Sequence, residues 1–201
     1  MLKIYHAQGA RSLRVLWLCE EMGVPYETAE ASFFKPSEEF KAVNPLRTVP
    51  AMLDGDVRMI ESVAMMIYIM NKYGPTDLDV KANEKGYADY LQFLLFGEAG
   101  IAAYGNPLVG TRFMAPDDQK ENWTATYLRG AIKKRLQFVA DRLGDKHYVA
   151  ADRFTAADIS VAYIATGGKF AGIEEDMPPA LNAYIERLHQ RPAFQRAAAV
   201  K

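Results

Sequence analysis

Cysteine occurs once in the 201 residues, at Cys19, so no disulfide can form within the chain. A lone thiol also speaks for a reducing compartment, the cytoplasm, and against a cysteine-built zinc cluster. Histidine is nearly as scarce. His6, His147 and His189 are widely separated and show no metal-ligand spacing, so no metal is expected. Charge of one sign is lacking too: 24 basic against 25 acidic residues leave a net charge of -1, with no cationic excess to hold a nucleic-acid backbone. The start MLKIYHAQ has no charged leader ahead of an apolar stretch, which predicts no signal peptide. The longest apolar runs, such as 64–70, fall far short of the ~20 residues that span a bilayer, so no membrane partner is expected.

What is present is enough for a core: half the residues are hydrophobic and 11% aromatic. The pattern along the chain has two zones. Leu2–His6 reads as a strand running into the loop Ala7–Ala10. Ser12–Met22 carries apolar residues at helical spacing and stops at Gly23, and Pro25–Glu30 reads as a second strand. Strand, helix, strand predicts a right-handed crossover and a parallel pair. A polar stretch bracketed by Pro36 and Pro45 reads as irregular. Asp54-Gly55-Asp56 between apolar runs predicts an antiparallel hairpin, and Ser62–Tyr73 a helix ended by Gly74-Pro75.

From Lys85 the periodicity is helical. Helices are expected over 85–104, 117–143, 155–171 and 178–190, broken at Pro107, Pro116, Gly144 and Pro178-Pro179. Thr155 and Asp158 have the form of a capping pair ahead of the apolar run Ile159–Ala165. The expected division is 1–77, a linker at 78–84, and 85–201. The first zone is small for a free-standing core, which predicts that the zones pack together.

Asn44-Pro45-Leu46-Arg47-Thr48-Val49-Pro50, then Glu61-Ser62 opening a helix, then a helical second half, resembles a glutathione transferase over essentially the whole chain. The resemblance implies an α/β thioredoxin-like N-terminal domain (βαβ-ββα) and an all-α C-terminal domain. It implies a cis Val49-Pro50 corner whose backbone meets the cysteinyl part of glutathione, with Ser62 taking the γ-glutamyl carboxylate, Glu61 its ammonium, and Thr48 a neighbouring position. A helix N-terminus suits a carboxylate because its first amides lack partners. On capping preference alone, Ser62 reads as a cap for its own helix.

The loop Gln8–Leu13 is similar to the bacterial beta-class loop, but Arg11 stands where that class has its active-site cysteine. Alignment to the serine-type classes places Gly9 near their catalytic serine. The donors left for the glutathione thiolate are Ser12, Tyr5 and His6, with Arg11 adding positive field. Ser12 also reads as a helix cap, Arg11 as a solvated side chain and Tyr5 as core. Cys19, about two helical turns further on, reads as a buried thiol.

In the family the second substrate, a small hydrophobic electrophile, sits against the helical half. Tyr104, Phe113 and Met114 are the candidate walls, and equally candidates for helix packing. The resemblance implies a homodimer, with the apolar helix at 62–73 able to meet a partner. The expected activity is conjugation of glutathione to electrophiles, a detoxification chemistry. Glutathione-dependent peroxide reduction, reduction or isomerisation, and a non-catalytic ligand-binding or regulatory role on the same fold, are the alternatives.

Overall fold

The computed structural model describes residues 1–32 and 35–201, with backbone alone for 164–170. The chain divides into two compact units. One is Met1–Asp79 together with His189–Lys201, and the other is Val80–Leu188. The sequence pattern kept 85–201 together; the last thirteen residues instead join the first unit, because Phe194 packs edge-on against Trp17 at 4.8 Å.

The first unit holds a four-stranded sheet in the order β2-β1-β3-β4. β1 (Leu2–His6) runs parallel to β2 (Tyr26–Glu30) and antiparallel to β3 (Ala51–Asp54), and β3 pairs antiparallel with β4 (Val57–Ile60). The expected βαβ-ββα order is therefore present, as a thioredoxin-like N-terminal domain ahead of an all-helical one. Gly55, at φ 60°, takes the left-handed place in the β3–β4 turn. Lys72, Tyr68 and Tyr73 all donate to Asp54 Oδ2, at 2.6, 3.0 and 2.9 Å, and so pin that hairpin to the following helix.

Helix α1 (Ser12–Met22) is buried on nearly every side from Ser12 to Cys19, since the sheet, α3 (Ser62–Tyr73) and α9 (Pro192–Ala198) all pack on it. It ends at Gly23, φ 66°, whose amide bonds the Cys19 carbonyl. The segment read as irregular contains a short helix, α2 (Glu38–Val43). Ser37 Oγ caps it by accepting from the Phe40 amide at 3.1 Å. The flanking prolines hid this helix, although Ser37 followed by Glu38 and Glu39 is an N-terminal signature. Phe40 is buried among Tyr5, Ala31, Val49 and Ala51. Full burial of a side chain of that size contributes ~1.5–3 kcal/mol.

In the second unit, α4 (Tyr87–Leu95) passes through a π-helical segment (Phe96–Ala102) into α5 (Ala103–Met114). Pro107, read as a break, lies inside α5. A proline ring collides with the carbonyl four residues back in a regular helix, which is why the pattern reads as a break there. Gly97 is needed there: a Cβ would lie 2.4 Å from the Ser160 carbonyl oxygen. The expected helix 117–143 begins later. Asp117–Gln119 is a 3₁₀ turn, and α6 (Trp123–Leu143) is capped by Asn122. α7 (Ala156–Ala171) and α8 (Pro179–His189) follow the pattern, while α9 was not anticipated. The end of the apolar run at Ile164 and Ala165 lies outside the described side chains. Among the described residues no helix is long and apolar enough to cross a membrane.

Candidate functional site

Three pieces of the first unit carry the residues singled out in the sequence: the corner before β3, the start of α3 and the start of α1. The corner is built by Asn44. Its buried side-chain amide donates to the Thr48 carbonyl at 2.7 Å and to Thr48 Oγ1 at 3.1 Å, and its Oδ1 accepts from the Leu46 amide at 3.0 Å. Thr48 is exposed and its hydroxyl is thereby engaged. The Val49-Pro50 peptide bond is cis, and β-pairing starts only at Ala51, so Val49 stands ahead of the ladder. Gly74-Pro75 is a second cis bond, which the sequence did not signal.

Glu61 precedes α3 with φ 72° and ψ 102°, a left-handed φ that is costly for any residue with a Cβ. Strain of this kind concentrates at ligand clamps. The Glu61 side chain is exposed, while its carbonyl accepts from the Met65 amide at 3.0 Å. Ser62 is buried, and its Oγ accepts from Arg14 Nη1 at 3.1 Å. Arg14 comes from the middle of α1 and is itself fully buried. A guanidinium never gives up its charge in a protein, so a fixed cation sits beneath the first turn of α3. The signal for it was an arginine inside an otherwise apolar helical run, and the sequence reading passed over it.

At α1 the structure departs from expectation. Ser12 is fully buried and its Oγ lies 2.8 Å from His6 Nδ1. The hydroxyl therefore does not cap α1 and is engaged by the His6 ring. Burial holds the His6 imidazole below its usual value, with the Val200 backbone opposing the shift. Tyr5 points to the opposite face of the sheet, as the period of two along a strand requires. Its hydroxyl donates to Glu39 Oε1 at 2.8 Å and its ring packs on Phe40 at 5.3 Å. Arg11, half-buried, occupies the residue before α1 and supplies no side-chain cap. Cys19 is buried and its thiol is pushed up to about 12 by that burial and by Glu20, which leaves it inert.

The three candidate wall residues all lie on α5. Tyr104 is half-buried with the Arg135 guanidinium 3.6 Å above its ring. Phe113, 63% exposed, borders an open cavity of about 680 Å³ lined also by Leu108, Arg112 and Arg129. Met114 is 86% exposed and does not line it. Among the described residues no three of His, Cys, Asp or Glu gather as a metal site requires.

Two family models match: the glutathione S-transferase N-terminal domain over residues 10–72 and the C-terminal domain over 99–192. The chain is 30% identical to glutathione S-transferase 1 of Schizosaccharomyces pombe, over 94% of its own length and 90% of that protein's. The chain belongs to the glutathione S-transferase family. Among solved structures it is similar to the glutathione transferase URE2P6 from Phanerochaete chrysosporium in complex with oxidized glutathione, with TM-score 0.83 and 26% identity, covering 98% of this chain and 94% of that one. It shares its fold with the nitrogen regulation fragment of the yeast prion protein URE2P, with TM-score 0.86 and 20% identity, covering 100% and 96%. The family match thus coincides with the two stretches that hold the corner and α3 on one side and the helical unit on the other.

Proposed function

We propose that this glutathione S-transferase family member binds glutathione along the corner at Val49-Pro50 and joins its thiolate to a small hydrophobic electrophile. The observation that carries the reading is the buried Arg14 bonded to Ser62. A cation under a helix N-terminus adds to the partial positive charge of the unpaired first-turn amides, and together they suit a carboxylate. In this reading the γ-glutamyl carboxylate lies on the first turn of α3 at Ser62, its ammonium meets Glu61, and the cysteinyl backbone pairs with Val49. Thr48 borders the same groove, its hydroxyl held by Asn44.

With the Ser12 hydroxyl on His6 and the Tyr5 hydroxyl on Glu39, this reading places the donor to the thiolate at the opening of α1. Arg11 and the amides opening α1 supply it. One unit of thiol pKa corresponds to ~1.4 kcal/mol, and a hydrogen bond to an ion contributes ~1.5–3 kcal/mol. A single well-placed donor therefore suffices. The thiolate sulfur attacks the electrophilic carbon, the carbon–sulfur bond forms, and the leaving group departs with its electron pair. Phe113 is the wall residue that borders open space; Tyr104 and Met114 stay as candidates for contact with the electrophile. We place the protein in the cytoplasm as a homodimer serving detoxification.

A second reading rests on Ser12. With its hydroxyl turned inward to His6, the fold can serve as a non-catalytic glutathione binder or a regulatory protein. Peroxide reduction, reduction and isomerisation use the same groove. Titration calorimetry with glutathione tests the binding step, and absence of heat at millimolar concentration overturns the whole reading. A steady-state assay with a halogenated nitroarene tests the transfer step. Turnover supports conjugation, whereas binding without turnover assigns the chain to the second reading.

A further inference from the structure

The cavity beside Phe113 is more than the apolar hollow that a hydrophobic electrophile alone requires. It holds about 680 Å³, the size of a small-molecule site, and every residue lining it belongs to the helical unit. Leu108 and Ala171 give it buried apolar wall and Phe113 an exposed aromatic one. Most of the remaining lining is charge of both signs: Arg112, Lys120 and Arg129 against Glu121, Glu174 and Glu175.

These charges do not satisfy one another. Lys120 is taken by Asp117 at 2.7 Å, a residue outside the cavity lining. Arg129 reaches Glu121 only at 3.4 Å, and its Nε is buried with no hydrogen-bond partner among the described residues. Among the same residues Arg112 has neither an ion pair nor a hydrogen bond, and the side chains of Glu174 and Glu175, in the 3₁₀ turn after α7, have none either. Arg112 is nevertheless placed. Gly172, φ 68°, follows α7, and a Cβ there would lie 2.1 Å from Arg112 Nη1. The missing side chain makes the space that the guanidinium occupies, and the C-terminal end of a helix favours a cation.

We propose that this cavity binds a zwitterionic ligand, an apolar α-amino acid or dipeptide. Its carboxylate lies on Arg112 and Arg129, its ammonium on Glu174 and Glu175, and its side chain on Leu108 and Phe113. A guanidinium presents paired N–H donors that match a carboxylate, and a buried donor without a partner gains most by finding one. A ligand with one sign of charge would meet like charge in the same cavity, and a neutral ligand would leave both sets unpaired. This site makes no use of the Val49-Pro50 corner or of the start of α3, so it is separate from the glutathione groove.

Titration of the full chain with phenylalanine and with leucyl-phenylalanine, followed by two-dimensional NMR of its backbone amides, tests this. The expected result is saturable shifts in 108–113 and 171–175 and at Arg129 at millimolar concentration, and the tighter of the two probes gives the size of the ligand. Blocking that probe by N-acetylation, or by amidation of its carboxylate, should weaken binding about tenfold, the equivalent of one hydrogen bond to a charged group. Arg112→Gln should weaken it by the same factor, and so should Glu174→Gln combined with Glu175→Gln. All three side chains are exposed, so these variants should fold. Absence of saturable shifts with both probes, shifts confined to other residues, or an affinity indifferent to either blocked end or to Arg112→Gln overturns the proposal. Failure of glutathione to bind would overturn the conjugation reading and leave this result as it stands.

Discussion

Arg14 Nη1 lies 3.1 Å from Ser62 Oγ, and both side chains are buried. The contact joins the middle of α1 to the first turn of α3 across 48 residues of sequence. Replacing Arg14 by Met preserves much of the volume and removes the charge. Glutathione affinity should then fall about tenfold, equal to ~1.4 kcal/mol. Stability should also drop by ~1–3 kcal/mol as the Ser62 hydroxyl loses its partner in the interior. Calorimetry and urea denaturation measure the two separately. Affinity unchanged in a folded Arg14→Met protein would remove the cation from the glutathione site.

Arg11 and Ser12 are neighbours with different fates, one half-buried at the mouth of α1 and the other sealed against His6. Arg11→Ala should raise the pKa of bound glutathione thiol by about half a unit to one unit, ~0.7–1.4 kcal/mol. Ser12→Ala should leave that pKa in place and destabilise the fold by ~1–3 kcal/mol, because the buried His6 nitrogen loses its partner. Thiolate ultraviolet absorbance against pH reads the first effect and thermal denaturation the second. A Ser12→Ala protein with a raised thiol pKa would return the hydroxyl to the chemistry.

These two residues also show where sequence reasoning stops. Strand and helix periodicity located β1, α1, β3, β4 and α3 closely, because alternation and the 3.6-residue stripe are local properties. Asp54-Gly55 marked the hairpin for the same reason. A side chain's facing at a helix start depends on what the far sheet offers, and nothing local to Ser12 announces that His6 waits beneath it. Asn44 was quoted only as part of a motif, although its amide builds the corner, since a bond from residue 44 to residue 48 depends on the turn already being made. α9 was missed because seven residues carry too short a period, and its partner Trp17 lies at the opposite end of the chain.

Asp158 gathers four donors: the amides of Val149 and Thr155 at 3.0 and 2.7 Å, the Thr155 hydroxyl at 3.0 Å and the Tyr184 hydroxyl at 2.7 Å. Burial outweighs these bonds and pushes the carboxyl up to about 6, from an ordinary 3.8. The folded state thus holds this proton more tightly than the unfolded one. The contribution is full below pH 3.8 and is lost as pH rises through about 6. Asp158→Asn should flatten the stability profile across that window and cost at least ~2 kcal/mol at pH 7, because an amide nitrogen cannot accept from Thr155. Urea midpoints from pH 4 to 7 check it; an unchanged slope would show that Asp158 does not titrate there.

Ala151 has φ 55° and Asp152 φ 52°, two consecutive left-handed residues ahead of that cluster. A left-handed conformation costs an L-residue ~1–2 kcal/mol, while glycine gives back ~0.5–1 kcal/mol through its freer unfolded chain. Ala151→Gly should therefore stabilise the protein by ~0.5–1 kcal/mol, about 1–4 °C in melting temperature for a chain of this size. Asp152→Gly should gain less, since aspartate tolerates this conformation better than alanine. The opposing surface sets the sign at Gly86, φ 89°, where an added Cβ would meet the Ala151 Cα at 2.9 Å. Gly86→Ala should lose well over 1 kcal/mol, because backbone must move and the φ is strained as well. Chemical denaturation of the three variants ranks them, and a destabilised Ala151→Gly protein would mean that its methyl group makes contacts worth more than the strain it imposes.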